Sequence, residues 1–95
     1  MEYYLSDLGA AVLREDYFFF MISAAGFLKS LCSTLYGINK CFEPSSRYVS
    51  TEVFKLSRLP EAFVGTMDNF LNLQETSIGR KREVAEILAR KVLHL

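Results

Sequence analysis

From Tyr17 to Tyr36 the chain is apolar almost throughout, and this run limits the possible folds more than any other feature. The apolar residues show no two-residue alternation. They surround most of a helical cylinder, as expected of a central helix contacted on several sides. The pattern predicts a helix over 17–39, the longest and most buried of the chain. One row departs from it: Ser23, Gly26, Ser30, Ser33 and Gly37 recur at three- and four-residue steps and so share a face. That face is either the solvent strip, with Lys29 and Thr34 beside it, or a close helix–helix seam in which small side chains let two backbones approach.

Shorter amphipathic stretches flank this helix. Leu5, Leu8, Val12 and Leu13 mark a first helix over 3–14, and Asp16 can cap the central one by accepting an orphan amide proton. Gly37 and Asn39, which tolerate left-handed backbone, mark its end. Beyond Pro44, Ser45 or Ser46 can cap a third helix over 47–57 with Val49, Val53, Phe54 and Leu56 on its buried stripe. Pro60 suits the first turn of a fourth, over 60–73, carrying Phe63, Met67, Phe70 and Leu71. Thr76 or Ser77 can cap a last helix over 78–93, with Val84, Leu88, Val92 and Leu95 on one face and Glu86 set to pair with Arg90. The expectation is an all-α, four- or five-helix antiparallel bundle forming one domain over 1–95. Its core should include Phe19, Ile22, Phe27, Leu31, Leu35, Val53, Phe63, Met67, Phe70 and Leu88.

Eight Phe and five Tyr in 95 residues are more apolar surface than one small core needs, so some of it should meet another domain or subunit. Eleven basic and eleven acidic residues cancel, so nothing here predicts a broad electrostatic footprint for nucleic acid or anionic lipid. Cys32 and Cys41 read as buried reduced thiols. No metal set forms around His94, the lone histidine. No catalytic signature is present: there is no nucleophile elbow and no glycine-rich phosphate loop. The uncharged run 17–28 is too short to cross a bilayer core of about 30 Å, and extending it brings in Lys29, Ser30, Ser33 and Thr34. These features predict a cytoplasmic chain without a membrane segment or a leading signal. Arg80-Lys81-Arg82 forms a compact basic cluster that could hold a phosphate group. Arg90 and His94 are spaced slightly closer than the Arg…His pair of helical ribonuclease toxins.

Polar residues gather between the central helix and the next one, in Asn39-Lys40-Cys41-Phe42-Glu43-Pro44-Ser45-Ser46-Arg47. Asn39 offers donor and acceptor, and Lys40 and Arg47 bring positive charge to a helix end and a helix start. They are the candidate substrate-binding residues. The plain alternative is a turn in which Asn39 caps one helix and Ser46 the next.

Residues 13–63 resemble an uncharacterised helical domain that follows minimal nucleotidyltransferase domains in bacteria and archaea. That family has an acidic junction, here Arg14-Glu15-Asp16, and a long apolar helix ending in Leu-Asn-x-x-Tyr-x-Pro-x-x-Lys. Here the phrase runs from Ile38 and Asn39 to Arg47, with Phe42 for tyrosine and Arg47 for lysine, and is followed by Leu59-Pro60. The resemblance implies an accessory or substrate-binding domain, either an excised C-terminal domain or a natural protein without the catalytic half, beside a nucleotidyltransferase catalytic domain in cis or in trans. Mg²⁺ and a nucleoside triphosphate would belong to that partner, and this chain alone would transfer nothing. The alternative is a helical interaction module or small homodimer without enzymatic chemistry.

Overall fold

The computed structural model describes residues 1–71 and 78–95. The helices are α1 (Glu2–Arg14), α2 (Tyr17–Ile38), α3 (Ser46–Glu52), α4 (Phe63–Leu71) and α5 (Ile78–Leu93). A 3₁₀ turn, Val53–Lys55, continues α3. No strand occurs among the described residues, and the all-α bundle expected from periodicity is the architecture found. Thr76, Ser77 and the end of the helix expected to reach residue 73 lie outside the described residues.

Helix α2 is the axis of the bundle. Phe20, Ala24, Phe27, Leu31 and Leu35 follow one another at helical spacing and form its buried face, joined by Leu8 and Ala11 of α1 and by Val84, Leu88 and Val92 of α5. Phe27 meets the Phe70 ring of α4 at a centroid distance of 5.8 Å. Most of the expected core is buried, but Phe19 is only half-buried, under the Arg14 guanidinium, and Ile22 is 57% exposed. Ile22 stands two residues from both Phe20 and Ala24, about 200° around the cylinder at 3.6 residues per turn.

The junction of α1 and α2 is compact for a stated reason. Glu15 adopts left-handed backbone (φ 53°), and its N–H donates to the Val12 carbonyl while that of Asp16 reaches Ala11. This double bond pattern closes α1 as a Schellman motif and leaves Asp16 to cap α2, accepting from the Phe19 N–H at 3.0 Å. The same device ends α2. Lys40 (φ 55°) donates to Gly37 and Cys41 to Tyr36, so the left-handed residue is Lys40 and neither Gly37 nor Asn39. Helix α4 starts at Phe63 and not at Pro60, because Ala62 is left-handed (φ 58°) and breaks the run. Glu86 pairs with Arg82 at 3.2 Å, one turn before it, in place of Arg90.

The small-residue row of α2 divides between its two readings. Its first half is a seam: Ser23 is buried, and the Tyr4 ring of α1 lies on Gly26 so closely that an added Cβ would stand 2.8 Å from Tyr4 Cδ1. Its second half faces outward, with nothing within 4 Å of a Cβ at Gly37. Two substitutions separate these environments. Gly37→Ala should raise stability by about 0.5–1 kcal/mol, through helix propensity alone. Gly26→Ala should lower it despite the same propensity gain, since displacing a packed ring typically costs about 1–3 kcal/mol. Denaturant unfolding followed by circular dichroism measures both.

Candidate functional site

The segment 39–47 leaves the end of α2 and enters α3, and the structure splits its three candidate residues. Asn39 is committed to the fold. Its Nδ2 donates to the Leu35 carbonyl at 2.8 Å and to the Arg58 carbonyl at 3.0 Å, and its Oδ1 accepts from the Arg58 N–H at 2.7 Å and the Ser57 hydroxyl at 3.4 Å. One amide thus satisfies a helix-end carbonyl and clamps the main chain of residue 58 to α2. Lys40 and Arg47 are exposed, and neither side chain makes an ion pair or hydrogen bond among the described residues. Arg47 therefore does not hold the turn. Ser45 occupies the N-cap position of α3 but gives no side-chain cap bond.

Two clefts flank this segment. The first, about 420 Å³, lies between Tyr36, Cys41, Phe42, Pro44, Glu52, Lys55 and Leu56. The second, about 280 Å³, is walled mainly by apolar side chains of α2 and α3, with Lys29 and Glu43 among its lining. Glu43 accepts from the Ser33 hydroxyl at 2.5 Å. This serine–carboxylate pair is exposed and has no third side chain hydrogen-bonded to it among the described residues, and no three His, Cys, Asp or Glu side chains among the described residues could hold a metal ion together.

The basic cluster of α5 is dispersed by helical geometry, because consecutive residues point about 100° apart. Arg80 pairs with Glu83 and Arg82 with Glu86, each at 3.2 Å. Lys81 turns inward, 5% exposed, and its ammonium donates to the Phe70 carbonyl at 2.9 Å. That carbonyl belongs to the last turn of α4, where the helix dipole favours a cation. Burial pushes the Lys81 ammonium below its ordinary value of 10.5. His94 is engaged with the Arg90 carbonyl through Nδ1 at 2.7 Å, a helix-end contact and not a ribonuclease pair.

The feature missed from sequence is the outer face of α2. Tyr17, Phe18, Met21 and Ile22 are all more than half exposed, with Leu13 of α1 beside them. The signal was the unbroken run from Tyr17 to Ile22: six consecutive apolar residues on a helix cannot all point inward. A second signal was continuity. The helix runs through Lys29, Ser30, Ser33 and Thr34 to Ile38, 22 residues whose most apolar 18-residue window has a mean hydropathy of 1.5, and only 39% of that window is buried in the bundle. It is long and apolar enough to cross a membrane.

No protein-family model and no solved structure matches the chain. Among curated proteins it is 37% identical over 71 residues to transmembrane protein 11-A, mitochondrial, of Xenopus laevis. It is 35% identical over the same length to transmembrane protein 11, mitochondrial, of Gallus gallus and of Homo sapiens. Each match takes in 74% of this chain but only 37–38% of the relative, so the chain spans under two fifths of the length of the curated relatives it matches. A 71-residue match within 95 residues necessarily includes the second half of α2 and all of 39–47. These relatives overturn the functional reading from sequence. They are mitochondrial transmembrane proteins and not nucleotidyltransferase-associated domains, and a catalytic partner, a cytoplasmic location and the absence of a membrane segment are corrected with it. A soluble interaction module or homodimer finds no support among them. The expectation of Mg²⁺ and a nucleoside triphosphate rested on that catalytic partner alone.

Three outcomes follow from the geometry. Asn39→Ala should cost about 0.5–1.5 kcal/mol in denaturant unfolding, since it removes the hydrogen bonds that join residue 58 to the end of α2. Arg47→Ala should change stability by less than about 0.5 kcal/mol, as for a surface side chain without partners. The third outcome concerns Lys81. The folded chain releases this proton before the unfolded chain does, so stability should rise with pH between the depressed value and 10.5, and level off above it. Lys81→Met should lack that part of the rise when unfolding midpoints are compared across alkaline pH.

Proposed function

We propose that the chain is a membrane-integrated segment of a mitochondrial membrane protein, anchored by α2 as a spanning helix. The observation that carries this reading is α2 itself. Its 22 residues measure about 33 Å at 1.5 Å per residue, against a hydrocarbon core of about 30 Å. Tyr17 stands at one end and Tyr36 near the other, the level at which aromatic hydroxyls meet headgroups. In the bundle the Tyr36 and Ser23 hydroxyls are buried without a hydrogen-bond partner. At a membrane interface Tyr36 would regain one. The names of the relatives point the same way.

Lys29 is the one charge within the span and falls near its middle. An ammonium there costs about 2.5–3.5 kcal/mol on insertion scales, which its long stem reduces by reaching toward the interface. Glu43 lines the same cleft and can offset part of that charge.

A spanning α2 cannot keep α5 alongside it. Helix α5 exposes Arg80, Arg82, Glu83 and Arg90, and lipid would not accept them. Insertion therefore exchanges the contacts of α2 with α5 for lipid and leaves α5 in water. The test combines retention with accessibility in membranes from cells producing the chain. Alkaline carbonate should leave the chain in the pellet, and Ile22→Cys should resist a membrane-impermeant maleimide until detergent is added. Leu88→Asp, which disrupts the bundle core, should not change retention. Release by carbonate together with ready labelling at residue 22 would mean that the bundle only rests on a surface.

A further inference from the structure

The larger cleft beside 39–47 lies at the C-terminal end of α2, between Tyr36, the turn that follows the helix, and the end of α3 with its 3₁₀ turn. Tyr36 is its one buried residue, and the Tyr36 hydroxyl has no hydrogen-bond partner. That hydroxyl gives up the bond it would make in water, a loss that a ligand in the cleft can reverse. Phe42 stands in the same wall fully exposed. Glu52 and Lys55 bring opposite charges there, 3.4 Å apart, with both side chains largely in solvent. An exposed pair of this kind holds weakly. A ligand that carries one charge of each sign can replace it and leave every charge neutralised.

Each feature narrows the ligand. One anion beside one cation suits a zwitterion, because a group of single sign meets repulsion from Glu52 or from Lys55. A carboxylate only accepts hydrogen bonds, so the cationic end of the ligand should carry N–H donors. A quaternary ammonium has none and relies on a cage of rings, whereas Phe42 is the only exposed ring of this cleft. The anionic end should offer several acceptor oxygens, to take the Lys55 ammonium and the Tyr36 hydroxyl together. Phe42, Pro44 and Leu56 give the remaining wall an apolar surface for a short carbon linker. A volume of about 420 Å³ falls within the range of clefts that hold small ligands. A phosphodiester joined to a primary ammonium by two carbons meets all of these conditions.

We propose that the cleft of Tyr36, Phe42, Glu52 and Lys55 binds the phosphoethanolamine headgroup of a phospholipid. The ligand ammonium donates to the Glu52 carboxylate. Its phosphate oxygens accept from the Lys55 ammonium and the Tyr36 hydroxyl, and the Phe42 ring packs on the carbons between. The site rests on the membrane reading of α2, which sets Tyr36 at the level of the headgroups. Lys40 and Arg47 take no part, since neither lines the cleft.

The chain has no tryptophan, so Lys40→Trp places a single reporter at an exposed position beside the cleft. The full chain carrying it is reconstituted into vesicles of equimolar phosphatidylcholine, phosphatidylethanolamine and phosphatidylglycerol. One lipid at a time bears bromine on its acyl chains as the quencher. Brominated phosphatidylethanolamine should be about fivefold enriched at the reporter over brominated phosphatidylcholine, the equivalent of one net hydrogen bond, and enriched over phosphatidylglycerol as well. Glu52→Gln should abolish that preference, Tyr36→Phe should lower it, and Arg47→Gln should leave it unchanged. Equal quenching by phosphatidylethanolamine and phosphatidylcholine overturns the site, as does a preference that survives Glu52→Gln or Tyr36→Phe intact. Stronger quenching by phosphatidylglycerol also overturns it, since that would describe a cationic surface. Displacement of the lipid by millimolar glycerophosphoethanolamine would describe a site for the soluble compound and overturns it too. Carbonate washing of the same vesicles separates the two readings. A retained chain without lipid preference loses the site and keeps the span, and a released chain loses both.

Discussion

Everything in this chain depends on the first turns of α2 having no polar side. A helix with one apolar stripe can be finished by packing that stripe against its neighbours and leaving the rest in water. Helix α2 cannot, because Tyr17, Phe18, Met21 and Ile22 remain outside when Phe20, Ala24 and Phe27 are inside. Its neighbours are too short or too charged to cover that remainder. The second environment that suits such a surface is hydrocarbon, and the curated relatives it matches are named as transmembrane proteins.

The same helix therefore has two competing sets of partners. In the bundle, α5 brings Val84, Leu88 and Val92 to the core and keeps its charges outside. In a bilayer that amphipathic arrangement becomes a liability, because the charged face would meet lipid. What favours α5 beside α2 in water opposes it in a membrane, and the environment decides between the two. The unsatisfied hydroxyls of Ser23 and Tyr36 fit a helix that is not wholly at ease in the bundle core.

The ends of α1 and α2 show how rigid junctions arise without glycine. Glu15 and Lys40 take the left-handed position themselves, a conformation that costs a non-glycine residue roughly 1–2 kcal/mol. Two backbone hydrogen bonds at each junction offset that cost. At the second junction the Asn39 side chain adds its clamp on residue 58. The result is a fixed turn at the end of α2, where Lys40 and Phe42 are exposed.

The helices themselves were legible in the residues. Apolar spacing placed α1, α2 and α5 within a residue of their observed bounds, and the carboxylate of Asp16 marked its cap, because these are local properties of helical geometry and backbone hydrogen bonding. The all-α class followed from the same periodicity. Polar residues at 39–47 were legible as a cluster, but not their separate roles, since the bonds of Asn39 reach nineteen residues along the chain to Arg58. Tertiary structure alone decided that Ile22 faces out, that Gly26 lies under a tyrosine ring while Gly37 lies open, and that Lys81 leaves its basic neighbours for a carbonyl of α4. Each of these depends on which neighbour occupies a given side of a helix. Spacing defines a helix's faces, but only packing assigns them to protein, water or lipid.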